Sequence, residues 1–148
     1  MSDAIQKSVH AAIGRLFEAD IQLFQVDANE RTIAQRLAVY IAEEFPGWNV
    51  HCEYNRNREE IKRMSYARFG EYRMHNVVPD IIVHRAGTSE NLLVIELKKT
   101  TNHETDAIDI GKIQAYKEQL GYSAAAFFRL RAGSDGIGIE NEYWASDA

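Results

Sequence analysis

Apolar positions near the N-terminus recur at spacings of three and four. Ile5, Val9, Ala12, Ile13, Leu16 and Phe17 form one stripe, which predicts an amphipathic helix. After a polar break, Ile33, Leu37, Tyr40, Ile41 and Phe45 form a second stripe, stopped by Pro46 and Gly47. Residues 48–54 (WNVHCEY) read as a strand, whereas residues 55–76 are polar, basic and aromatic without a clear period. Two short apolar runs follow, residues 76–84 (NVVPDIIVH) and 91–99 (NLLVIELKK). The six residues between them contain Gly87, Thr88 and Ser89, a natural hairpin connection. Rich in Val, Ile and Leu, both runs predict strands buried on both faces. A helix is predicted over about 105–120, ended by Gly121 in the usual C-terminal position. SAAAFFRLR is another buried strand, and IGIENEYW, which alternates with acids, reads as an edge strand after a turn. The predicted order is α, α, β, β, β, α, β, β, without internal repeat, low-complexity tract or linker.

Composition narrows the class. At 148 residues and 16.9 kDa the chain has the size of one domain, taken here as residues 1–148. A hydrophobic share of 45% with 26% charged residues excludes disorder, collagen and coiled coil. The single cysteine, Cys52, excludes an internal disulfide and zinc sites built on several cysteines. The N-terminus lacks the unbroken apolar core of a signal peptide, and no apolar run approaches the ~20 residues that span a bilayer. The expected location is the cytoplasm, with no membrane contact. With 22 acids against 17 Lys and Arg, the net charge is -5. This argues against a protein whose whole surface clings to nucleic acid.

The chemistry lies in charges that interrupt the buried strands. A symmetric hairpin turning about Thr88 sets Asp80 directly opposite Glu96 on one face, and Lys98 points to that face as well. Opposed like charges are destabilising and buried acids resist ionisation, so the pair needs a compensating charge. A divalent cation supplies one, and carboxylates plus water are ligands that Mg²⁺ prefers. An Asp/Glu/Lys salt-bridge network closing a strand end is the purely structural alternative. Glu30 falls on the inward stripe of the second helix and has two roles open to it. It could support the metal site, or reach back as the third residue of a capping box begun by Asp27.

Pro79-Asp80, fifteen intervening residues and Glu96-Leu97-Lys98, preceded by a helical Glu30, resemble the PD-(D/E)XK signature of restriction-endonuclease-like nucleases. The resemblance covers about two-thirds of the chain, residues 28 to 131. It implies an α/β fold with an αβββαβ core: a central mixed sheet flanked by helices, here with an extra N-terminal helix and C-terminal strand. It further implies a Mg²⁺ (or Mn²⁺) ion held by Asp80, Glu96 and the backbone carbonyl of Leu97. Lys98 would orient or deprotonate water, its pKa lowered by the neighbouring cation, and Glu30 would support. The family often adds Gln-x-x-x-Tyr on the next helix. This chain has Gln114 but Glu118 where the Tyr would fall, so the motif is incomplete. Gln114 and Lys117, one helical turn apart, could face a phosphate together, whereas Tyr116 aligns with Ile113 and Leu120 as a core residue.

Between Arg56 and Arg73, six cations (Arg56, Arg58, Lys62, Arg63, Arg68, Arg73) against three acids leave a balance of +3, so the remainder of the chain carries -8. Tyr66, Phe69 and Tyr72 are interleaved with them, which suits base stacking beside phosphate contacts. The bland alternative is a solvated helix with internal Glu/Arg pairs. Next to a nuclease site the binding reading is preferred, with DNA ahead of RNA as partner. A second copy of the chain through the first helix, and a protein partner supplying specificity, are further expected partners. The alternative function is a non-catalytic nucleic-acid- or protein-binding module on the same fold. His103-Glu104 lacks the second His of a zinc motif, and His51, His75 and His84 show no ligand spacing.

Overall fold

The computed structural model describes the backbone of residues 2–53, 56–57, 60–61, 63–68, 71–76 and 78–147, and the side chains of residues 3–53 and 78–147. The two N-terminal stripes form helices α1 (Ser2–Ala19) and α3 (Glu30–Glu44), separated by a short helix α2 (Ile21–Gln25) that the apolar pattern did not predict. Asn29 caps α3, its side chain accepting a hydrogen bond from Thr32 N at 2.8 Å. The capping box expected from Asp27 is therefore absent: Glu30 is the first helical residue, not the third. After Pro46, Gly47 turns the chain with φ +86° into β1 (Asn49–Cys52).

The basic stretch is not the solvated helix of the bland reading. Its described backbone forms β2 (Arg56–Asn57) paired with β3 (Glu60–Ile61), and β4 (Arg63–Arg68) paired with β5 (Glu71–Asn76), both antiparallel. Then come β6 (Ile81–His84), β7 (Asn91–Lys99), α4 (Ala107–Leu120), β8 (Ala124–Leu130) and β9 (Ile139–Trp144), with a 3₁₀ turn at Gly133–Asp135. The main sheet has the order β1-β6-β7-β8-β9. Only β7 and β8 run parallel, as the α4 crossover between them requires. Strand β9 lies at an edge, as its alternation predicts. The protein is thus a mixed α/β structure with a five-stranded mixed sheet. Among the described residues no helix is long and apolar enough to cross a membrane.

Alternation along the central strands sends side chains to two cores. Ile81, Val83, Leu93, Ile95, Leu97, Ala126 and Phe128 face α1 and α3, where Val9, Ile13, Leu16, Ile33, Leu37 and Ile41 meet them. Ile82, Val94, Ala125 and Phe127 face the opposite side, with Ile113, Tyr116 and Tyr122. The apolar stripe of α1 is spent inside this chain, with Val9, Ala12 and Leu16 fully buried. A dimer through α1 would have to use its polar face. Strand β4 runs against α4, so the β4–β5 hairpin lies on the second core's side of the molecule.

Candidate functional site

The hairpin register brings Asp80 to Glu96. Ile81 pairs with Ile95, Ile82 with Val94 and Val83 with Leu93, and only at His84–Asn91 does a bulge shift the pairing. One step beyond the ladder, Asp80 N donates to Glu96 Oε2 at 3.1 Å and Leu97 N donates to Asp80 Oδ2 at 2.8 Å. The even-numbered positions Glu96 and Lys98 project toward α4, which supplies their partners. Lys112 Nζ lies 2.6 Å from Glu96 Oε1, and the Tyr116 hydroxyl donates to the same oxygen at 3.0 Å. Lys98 Nζ donates to Asp109 Oδ2 at 2.6 Å, with Glu104 at 3.6 Å. Lys112 and Tyr116 are four residues apart and reach Glu96 from one face of α4.

Two acids side by side at a largely buried strand end do not ionise independently. Burial, and then the charge of Glu96, push the Asp80 carboxyl up to about 9. Burial works against Glu96 as well, but Lys112 and the hydrogen bonds from Asp80 outweigh it and hold Glu96 below the usual carboxylate range. Burial pulls Lys98 down, yet Asp109 more than offsets this and leaves its pKa raised. The lowered value expected beside a cation is not what the Asp109 contact produces. Burial also raises Asp109, and it raises the Tyr116 hydroxyl well above its ordinary value.

Glu30 joins from the other side of the sheet. Its Oε2 accepts from Lys99 N at 3.0 Å, tying the start of α3 to the end of β7. Lys99 Nζ strengthens this tie by donating to Asp27 Oδ1 and to Ala28 O, each at 2.9 Å. Asp27, held at φ +53°, also accepts from Thr101 Oγ1 at 3.0 Å, and these two donors lower its pKa. Glu30 and Asp80 line one cleft of about 320 Å³ together with Cys52, Glu53 and Gln35. Cys52 is half-buried, packed against the first core while also lining this cleft.

The other sequence candidates are placed differently. Gln114 exchanges two hydrogen bonds with the backbone of Ser146, at 2.9 and 3.1 Å, and Lys117 pairs with Asp147 at 2.5 Å. Both face the C-terminal segment. Arg56, Arg63, Arg68 and Arg73 stand on described strands, and the placement of their side chains lies outside the described residues, as do Arg58 and Lys62 altogether. His84 is buried and its Nε2 lies 2.7 Å from Nδ1 of His51.

Sequence reasoning missed Lys112, Asp109 and Arg129, and placed Tyr116 only in the core. Lys112 and Tyr116 share the i, i+4 spacing that would have aimed both at one neighbour. Arg129, a cation inside an apolar strand, was a visible signal. Its guanidinium donates to Asp106 Oδ1 (2.8 Å), Lys99 O (2.8 Å), Asn102 O (2.6 Å) and Glu104 O (2.6 Å). It thereby shapes the loop that presents Glu104 to Lys98.

The donor set at the pair fits a hard divalent cation in kind. Asp80 and Glu96 offer carboxylate oxygens, the kind of donor a hard cation takes, and Leu97 adjoins them through its N–H to Asp80. The raised Asp80 pKa reflects two acids with one close cation, Lys112, between them. Among the described residues no group of three or more His, Cys, Asp or Glu is arranged to hold an ion, so these two acids stand without a third. No protein-family model, curated protein or solved structure matches the chain.

Proposed function

We propose that the protein is a Mg²⁺- or Mn²⁺-dependent nuclease that hydrolyses phosphodiester bonds, with DNA as the preferred substrate. The observation that carries this reading is the contact of Asp80 with Glu96 at the ends of adjacent strands, with Lys98 next along and Glu30 across the shared cleft. Leaving aside the two small hairpins β2–β3 and β4–β5 inserted between β1 and β6, the main-sheet elements run α3, β1, β6, β7, α4, β8, with three antiparallel strands and a helical crossover to a parallel fourth, which supports a restriction-endonuclease-like core.

Asp80, Glu96 and the Leu97 carbonyl would hold the ion. When bound, it would supply Lewis acidity at a phosphoryl oxygen. Lys98, kept protonated by Asp109, suits stabilisation of a developing phosphate charge better than general-base work, which needs a pKa near the working pH. Glu30 would act through the Lys99 backbone as a positioning residue. The β4–β5 hairpin, whose strands include Arg63, Arg68 and Arg73, lies against α4 and so on the side of Glu96 and Lys98. This suits a backbone contact for nucleic acid. A second copy of the chain, a specificity-giving protein partner and a cytoplasmic location complete the reading.

Specific contacts favour a second reading, a non-catalytic binding module. Both Glu96 oxygens already have partners, and Lys98 is paired with Asp109. Labelled single-stranded, duplex and branched DNA and RNA, incubated with Mg²⁺ or Mn²⁺, distinguish the two. The nuclease reading expects cutting that Lys98→Ala lowers by at least about a hundredfold. Binding without metal-dependent, Lys98-dependent cutting would establish the module.

A further inference from the structure

We propose that Lys112 is a tethered counter-ion that competes with a divalent cation for Glu96, so that the site takes up an ion only as the ammonium withdraws. This rests on the reading of Asp80 and Glu96 as a cation site, and it adds how that site is regulated.

Glu96 is 2% exposed, and each of its oxygens has a donor: Asp80 N on Oε2, Tyr116 and Lys112 on Oε1. Two of these donors are fixed. The Asp80 amide is backbone at the strand end, and Tyr116 is fully buried in the second core. Lys112 differs: its side chain keeps 18% of its exposure and reaches Glu96 from the rim of α4. A four-carbon stem with a compact charge can change its contacts through its own rotatable bonds. Water is excluded around Glu96, so an ammonium and a divalent ion on the same oxygen would repel strongly. Cation binding and the Lys112–Glu96 contact are therefore negatively coupled, an effect of roughly tenfold or more in affinity. In the resting protein Lys112 places a positive charge against the acid pair. Cation affinity is correspondingly held down.

Mn²⁺ titration by calorimetry of the full chain tests this, with Lys112→Gln, Lys112→Arg and Asp80→Asn alongside. The expected result is that Lys112→Gln binds Mn²⁺ roughly tenfold more tightly than the parent, Lys112→Arg does not, and Asp80→Asn abolishes binding. A second readout needs no variant: amine acylation followed by mass spectrometry, in which saturating Mn²⁺ should speed modification of Lys112. It decides the matter if Lys112→Gln does not fold. Asp80-dependent binding with no gain in Lys112→Gln and no change in Lys112 labelling would overturn the competition and leave the cation site standing. No Asp80-dependent binding in any of the proteins would overturn both.

Discussion

Tyr116 and Tyr122 sit side by side in the second core, ring centroids 5.9 Å apart, yet their hydroxyls differ in kind. Tyr116 donates to Glu96, whereas the buried Tyr122 hydroxyl has no hydrogen-bond partner among the described residues. Hydrogen bonds to charged groups are worth about 1.5–3 kcal/mol, while an unpaired buried hydroxyl carries a desolvation cost with no bond to offset it. Tyr116→Phe should therefore cost about 2 kcal/mol in denaturant unfolding. Tyr122→Phe should be neutral or stabilising, within about 1 kcal/mol. Equal losses in the two variants would contradict this division. The stripe with Ile113 and Leu120 made the burial of Tyr116 legible. Its bond to Glu96 was not, because that needs the distance between α4 and β7.

At the scale of elements, the site depends on how the segment between β7 and α4 is held. Arg129 of β8 binds three carbonyls of that segment and the Asp106 carboxylate, and is itself 8% exposed. Arg129→Met removes the guanidinium from all four acceptors, although Lys99 O keeps Asn102 N and Asp106 keeps Asn141 as donors. Removing one partner of a buried ion pair costs about 3–5 kcal/mol. Thermal unfolding of Arg129→Met should show a loss of that order, and Arg129→Lys should recover only a part, since one ammonium cannot span the fork. A loss below about 1 kcal/mol would mean the segment is held by other contacts. The elements themselves were largely readable, since helix stripes and apolar runs follow from the periods of 3.6 and 2. The strands of the basic stretch were not, because no alternation marks them. Short α2 carries too few residues to display a period.

For the whole molecule, the opposite pKa shifts of Asp80 and Glu96 predict a pH dependence. Asp80 binds its proton in the folded state up to about 9, against an ordinary value of 3.8. Between those values the folded state holds a proton that the unfolded chain has released. Stability therefore falls as pH rises through this window. The lowered Glu96 acts in the opposite sense, losing its contribution as pH falls below the ordinary carboxylate range. Without added metal, the melting temperature should decline from mildly acidic pH toward about 9. Asp80→Asn, which keeps an acceptor for Leu97 N and carries no charge, should flatten the decline. A slope unchanged in that variant would place the proton elsewhere. The net charge of -5 counts Asp80 as ionised, which its raised pKa disfavours near neutral pH.

The sequence by itself determined the two helical stripes, the buried strands and the hairpin register that opposes Asp80 to Glu96. Each is a local matter of side-chain period and of distance from a turn; the stripes stand in α1 and α3, and the register in the pairing of Ile81 with Ile95. Only the tertiary structure decided what those charges meet. Lys112, Asp109 and Tyr116 come from a helix that crosses the sheet, and Glu30 reaches Lys99 from the opposite layer. The packing angle and depth of a helix depend on the whole interface, not on any segment's pattern. For that reason the acids could be paired with each other from the sequence, but not with their cations.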